Sequence, residues 1–186
     1  MTTKILAFSG SSRRGSWNKK LLALAIAGAR DAGAAVTEID LRDFALPLYD
    51  GDLEASSGAP AGALQLKAIF KAHHGLLIAS PEYNGSYSPL LKNSLDWISR
   101  SIPGEAGTVP FQGKVAAILS ASPGLLGGAR GLMLLRLLLS TLGVMVLPGQ
   151  FTVAQANAAF DEQGDLKERG AALRELGAVL ARYPKP

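Results

Sequence analysis

With 186 residues, 48% of them hydrophobic and 18% charged, the chain is too apolar for a disordered polymer and long enough for one domain with a substantial core. It has no cysteine, which excludes disulfides, thiolate metal sites, CxxC redox chemistry and cysteine nucleophiles, so redox chemistry would have to come from a bound cofactor. The net charge is +4, but the 19 lysines and arginines are scattered rather than grouped in runs, which argues against nucleic acid as a partner.

Met1-Thr2-Thr3-Lys4 runs directly into an apolar segment without a charged leader or cleavage site. No apolar stretch approaches the roughly 18 residues of a membrane span, so a cytoplasmic protein is expected. Lys4–Ser9 reads as a strand. Residues 17–32 read as a helix, with Leu21, Leu22, Ala25, Ile26 and Ala29 at helical spacing and Gly33 as the stop. Ala35–Asp40 is a second strand, and the Pro/Gly-rich stretch 42–62 predicts a long loop. A helix over 63–73 leads into 75–80, an apolar run whose bounding Gly and Pro favour a buried parallel strand. Pro89 suits a first helical turn, and Leu90, Leu91, Leu95, Trp97 and Ile98 carry that helix forward. After a connector over 101–113, residues 114–120 form a fourth strand, 128–142 a helix, 144–153 an extended segment and 164–183 a last helix. Alternating strands and helices of this length imply a single α/β domain over 1–186, with a parallel sheet covered on both faces.

Ligands of such sheets bind beyond the carboxyl ends of the strands, so the loops after the first, third and fourth strands are the places to search. The first runs from Ser9 to Asn18 and lacks both GxGxxG and GxxxxGK[ST]. Its hydroxyls, Arg13 and Arg14, and the amides of an opening helix suit a terminal monophosphate. The same residues also read as a plain turn, with Ser16 capping the helix and the arginines solvated. The loop after the third strand, Pro81-Glu82-Tyr83-Asn84-Gly85-Ser86-Tyr87-Ser88-Pro89, holds two tyrosines that suit a planar heteroaromatic ring. It equally describes an Asn-Gly turn with Ser88 capping a helix from Pro89. In the third loop, 120–130, small residues allow close approach to a flat ligand, or Gly127 and Gly128 simply open the next helix.

Taken together, Gly10-Ser11-Ser12-Arg13-Arg14-Gly15-Ser16 with Asn18, Pro81-Glu82-Tyr83-Asn84, Leu91-Lys92-Asn93-Ser94-Leu95-Asp96-Trp97 and Gly127-Gly128-Ala129-Arg130 resemble the NADPH-dependent FMN reductase family. The resemblance extends over nearly the whole chain, including Leu46-Pro47-Leu48-Tyr49-Asp50. It implies a three-layer flavodoxin-like fold, with a five-stranded parallel sheet of order 2-1-3-4-5 and helices on both faces. It also implies FMN as cofactor and NADPH or NADH as electron donor. Ser11, Arg13, Ser16 and Asn18 would hold the FMN phosphate, with Ser9 at the start of their loop also counted in the cofactor site. Pro81, Glu82, Tyr83, Asn84 and Gly85 would line the isoalloxazine, and Ser120 and Ser122 would lie near its far edge. Ser88-Pro89 stands where many relatives carry Pro-Gly, a departure that bears on acceptor access. The flavin would carry the chemistry, so no catalytic side chain is expected. The acceptor would be a small molecule such as a flavin, quinone, azo dye or oxyanion. A flavodoxin-type electron carrier and a non-catalytic flavin sensor are the competing functions, and the basic balance argues against the carrier.

Trp97 and Arg100 belong to a helix that often lies in the family's dimer interface, so a homodimer, extending to a tetramer, is the expected assembly, although Trp97 also suits a plain core position. His73 and His74 lack a third ligand nearby in sequence, so no metal site is expected. Asp50, Asp52 and Glu54 read as solvated, and Arg136 reads as either part of a core helix or a subunit contact.

Overall fold

The apolar runs become parallel strands of one sheet in a computed structural model describing residues 2–183. Met1 and residues 184–186, which the single-domain expectation includes, lie outside the described residues. Strands β1 (Lys4–Ser9), β2 (Ala35–Asp40), β3 (Gly75–Ala79), β4 (Val115–Ala121) and β5 (Met145–Val146) stand in the order β2-β1-β3-β4-β5. This is the expected flavodoxin-like order, and it opens a crevice between β1 and β3, where the connections diverge to opposite faces.

Every residue of β3 and β4 is buried, which is why these strands read as unbroken apolar runs rather than as alternating ones. Successive side chains of β1 feed different cores. Ile5 and Ala7 pack with α1 (Trp17–Asp31) and α7 (Gly170–Arg182), whereas Leu6 and Phe8 join the other face. On that face lie α3 (Ala61–Lys71), α4 (Pro89–Ile98) and α5 (Ala129–Thr141), which contribute Leu66, Leu91, Leu95, Leu132 and Leu135.

Three segments depart from the sequence expectation. The stretch 42–62 is not a continuous loop but holds a 3-10 turn, Leu41–Phe44, and the short helix α2 (Gly51–Ser57). Asp50 caps α2 by accepting from Asp52 N and Leu53 N, at 2.7 and 3.3 Å. No residue of α2 is buried, so it carries no apolar periodicity to read. The extended segment 144–153 is two strands, because Pro148 and Gly149 leave the ladder between β5 and β6 (Phe151–Val153), giving six strands rather than five. Both lie along β4, which pairs through Val115 and Ala116 with β5 and through 119–121 with β6. Arg136 braces this break, donating to Val146 O at 3.2 Å and to Gln150 Oε1 at 3.3 Å. A short helix, α6 (Ala156–Ala159), then precedes an irregular run, and α7 begins at Gly170 rather than at 164.

The backbones of α1 and α7 touch because both carry glycine at the crossing. A methyl group on Gly28 would stand 2.0 Å from the Arg174 carbonyl oxygen, and one on Gly177 would stand 2.0 Å from that of Ala25. Alanine in a helix interior normally gains about 1 kcal/mol over glycine. Here Gly28→Ala and Gly177→Ala should each lower stability by about 1–3 kcal/mol through overpacking, read as a lower urea midpoint.

Candidate functional site

The first loop is organised by its serines. Gly10 N donates to Ala79 O at 2.8 Å, Ser11 N to Ser9 Oγ at 3.2 Å and Arg13 N to Ser11 Oγ at 3.4 Å. Ser16 caps α1, accepting from Lys19 N on its hydroxyl and from Lys20 N on its carbonyl. The Trp17 and Asn18 amides are thus left at the open, electropositive end of a helix whose first turn contains no acid. The Arg13 guanidinium lies 5.4 Å from the centre of the Trp17 ring, which holds its charge at the same end.

Ser88 joins this loop to the next. Its hydroxyl donates to Gly10 O at 2.6 Å and accepts from Leu91 N at 3.2 Å, capping α4. The Ser-Pro departure thus has a local purpose: Ser88 is the cap and Pro89 the first helical residue. Gly10 is required opposite it, since a Cβ there would fall 2.6 Å from the Ser88 hydroxyl.

In the second loop Tyr83 and Ser86 exchange backbone bonds of 2.9 and 3.0 Å around Asn84 and Gly85, both at positive φ, as a type I′ turn demands. Tyr83 is 44% exposed. Glu82 turns inward instead. Its carboxylate accepts from Gly131 N at 2.9 Å and from Arg130 Nε and Nη2 at 2.9 and 2.6 Å. Gly128, the residue that precedes α5, has no side chain to cap it, so Glu82 acts as a cap supplied from a distant loop. Burial pushes the Glu82 carboxyl up, but the Gly131 N–H and the Arg130 guanidinium outweigh it and hold the group below its ordinary value.

The third loop is tied to the first by Asn18, whose Nδ2 donates to Ala121 O and whose Oδ1 accepts from Ala121 N, both at 2.9 Å. Gly127 and Gly128, at positive φ, press against Val153 and Ala154 and against Ser120, respectively.

One cleft results. It is lined by Ser11, Arg13, Ser16, Trp17 and Asn18 from the first loop, Pro81, Glu82 and Tyr83 from the second, and Ala121, Ser122 and Pro123 from the third. Four expected site residues lie outside this lining. Ser9 anchors the first loop from beneath, Asn84 and Gly85 form the turn, and Ser120 is fully buried under Gly128 with its hydroxyl unpaired. The cleft also takes in Trp17, Ala121 and Pro123, which the resemblance does not assign to the site; an aromatic residue four positions after Arg13 is the available signal for the first.

Elsewhere, Glu54 is not a solvated acid. It accepts from Arg100 Nε at 2.9 Å and from Tyr49 OH at 2.8 Å. Trp97 is buried and donates to Pro47 O at 2.8 Å, so it packs within its own chain. The His73 ring spans Ile69 O and Thr37 Oγ1, at 2.7 and 2.8 Å. Among the described residues no group of three His, Asp or Glu side chains is placed to hold a metal ion, and no helix is long and apolar enough to cross a membrane.

Residues 3–158 match the family described as NADPH-dependent FMN reductase. The chain belongs to this family. An NAD(P)H-dependent FMN reductase of Pseudomonas aeruginosa is 41% identical over 174 residues, covering 93% of this chain and 88% of its relative. A quinone reductase of Escherichia coli K12 is 34% identical over 145 residues, covering 77% and 73% of the two chains. Among solved structures, a flavoenzyme NAD(P)H:(acceptor) oxidoreductase from Paracoccus denitrificans superposes with a TM-score of 0.77 at 27% identity, covering 96% of this chain and 95% of that one.

The cleft suits the cofactor this family is named for. The phosphate end would meet amides, hydroxyls and a guanidinium, and the one carboxylate in the lining, Glu82, is already neutralised by Arg130 and Gly131. Because the folded Glu82 titrates below its ordinary 4.5, its stabilising effect is present above that pH and is lost as pH falls through the folded value. Glu82→Gln should therefore cost roughly 1–3 kcal/mol near neutral pH. The gap from the parent should close on acidification, as read by denaturant titrations along a pH series.

Proposed function

We propose that the chain is an FMN-dependent oxidoreductase that takes hydride from NADPH or NADH and reduces a small acceptor, a flavin or a quinone, working in the cytoplasm as a homodimer. The carrying observation is that the open N-terminus of α1, with Arg13, Ser11 and Ser16, faces the same cleft as Pro81, Tyr83 and Ser122. The family and the FMN- and quinone-reducing activities named for its relatives support the reading.

Bound FMN supplies the hydride chemistry, so neither a nucleophile nor a general base is required of the protein. Ser11, Ser16 and Arg13 would bind the phosphate through charge-assisted bonds, with the amides at the start of α1 completing the seat. Pro81, Tyr83, Ser122 and Pro123 would hold the ring between the second and third loops. Tyr83, half exposed at the rim, would meet the nicotinamide or the acceptor. Donor and acceptor would take turns against the exposed face of the ring, so ping-pong kinetics are expected.

The purified protein should show a flavin visible spectrum, or acquire one on adding FMN, and lose it when NADPH or NADH is added without oxygen. Flavin that stays oxidised would end the enzymatic reading. Arg13→Ala should weaken FMN binding by about 1–3 kcal/mol. Riboflavin, which lacks the phosphate, should bind the variant and the parent alike. Sedimentation at working concentrations reads the assembly directly.

A further inference from the structure

We infer that Asn18 is a positioning residue of the cleft, not a ligand of the phosphate: it fixes the first loop against the end of β4. This rests on the flavin reading above. Asn18 is 3% exposed and occupies the second position of α1, from which a side chain runs back toward the helix start.

The place it reaches is a gap in the sheet. Strand β3 ends at Ala79, paired with Leu119, and Ser80 N donates to Leu119 O at 3.0 Å. Two residues further along β4, the Ala121 N–H and C=O point to that same side, where no strand continues. On the opposite edge the ladder goes on, with Ser122 N donating to Val153 O. The Asn18 carboxamide fills the gap as a strand peptide would, offering one acceptor and one donor to Ala121 at 2.9 Å each. Asparagine is the smallest side chain that presents a separate donor and acceptor in one plane. Aspartate has no donor for the Ala121 carbonyl, and serine has no planar pair of groups.

This latch spans the two halves of the cleft. Asn18 belongs to the helix whose open end forms the anion seat, and Ala121 is followed directly by Ser122 and Pro123 on the other wall. One Nδ2 hydrogen and one Oδ1 lone pair are held by Ala121, which fixes the plane of the amide, so its main effect on a ligand passes through the spacing of the walls. Loss of the latch should therefore weaken the phosphate and ring contacts together.

The test compares FMN and riboflavin binding to full-length parent, Asn18→Ala and Arg13→Ala proteins by fluorescence titration, well below their melting temperatures. Arg13→Ala should lose affinity for FMN alone. Asn18→Ala should lose affinity for both ligands, by about tenfold each, and keep the FMN-to-riboflavin ratio of the parent. The visible circular dichroism of bound flavin should also change. Loss for FMN alone makes Asn18 a phosphate ligand and overturns the inference. Unchanged affinities with only a lower Tm reduce it to a purely structural residue and overturn it too. A parent that binds neither ligand refutes the flavin reading instead, a result distinct from both. Should the alanine variant not fold, Asn18→Asp keeps the shape and one of the two bonds. It is read on riboflavin, where charge repulsion with a phosphate is absent: weaker binding supports the latch, and unchanged binding rejects it.

Discussion

Three loops leave the carboxyl ends of β1, β3 and β4, and the cleft exists only because buried polar bonds tie them into a ring. Ser88 joins the β3 loop to Gly10, Asn18 joins the β1 loop to Ala121, and Glu82 joins the β3 loop to the start of α5. Each bond satisfies a backbone group that would otherwise be stranded where a strand ladder stops or a helix starts. Loops are ordinarily the mobile parts of an α/β fold. Here the same groups that need partners supply the cross-links, so the walls are held in place by the hydrogen-bond requirements of the backbone.

This arrangement also decides where an anion can sit. Two helices, α1 and α5, begin beside the cleft, and each offers unpaired amides at its start. At α5 the seat is filled by Glu82, reinforced by Arg130. At α1 the cap, Ser16, is neutral and its hydroxyl takes only the Lys19 amide, so the positive end stays open with Arg13 beside it. One helix is closed by a carboxylate of the protein and the other is left for a ligand. The cleft is therefore polar in a directional sense, with its anion-attracting end at β1 and its flat, mostly uncharged walls between Pro81 and Pro123.

Sequence patterns revealed much of this, and their failures have specific causes. The strand order and both faces of the core were legible because buried parallel strands are continuous apolar runs and the main helices carry a periodic apolar stripe. The loops that form the cleft were legible for their placement and residue types. What could not be read was the partner of each polar group. Glu82 beside an aromatic turn suggests a ligand contact, yet its carboxylate closes a helix that begins 47 residues later. Asn18 next to a serine- and arginine-rich loop suggests phosphate, yet its amide meets a backbone 103 residues away. Helix α2 is not legible for a different reason: it buries nothing, and it is held by the Asp50 cap and by the bonds of Glu54 with Tyr49 and Arg100.

Further contacts come from α4. Asn93 and Trp97, one turn apart on α4, both donate to Pro47 O at 2.8 Å, and Asn93 also accepts from Tyr49 N at 2.7 Å. Arg100, just past the helix end, lies over the Tyr49 ring and pairs with Glu54. A carbonyl with two lone pairs can accept both donors, so the Pro47 peptide is gripped from two positions of one helix face. The excursion after β2 is thereby held by the helix that Ser88 caps, and Ser88 in turn holds Gly10 at the start of the first loop. Trp97 and Arg100 are thus both bonded within the chain. Their effect is to make the β2 excursion part of the same rigid frame that positions the first loop.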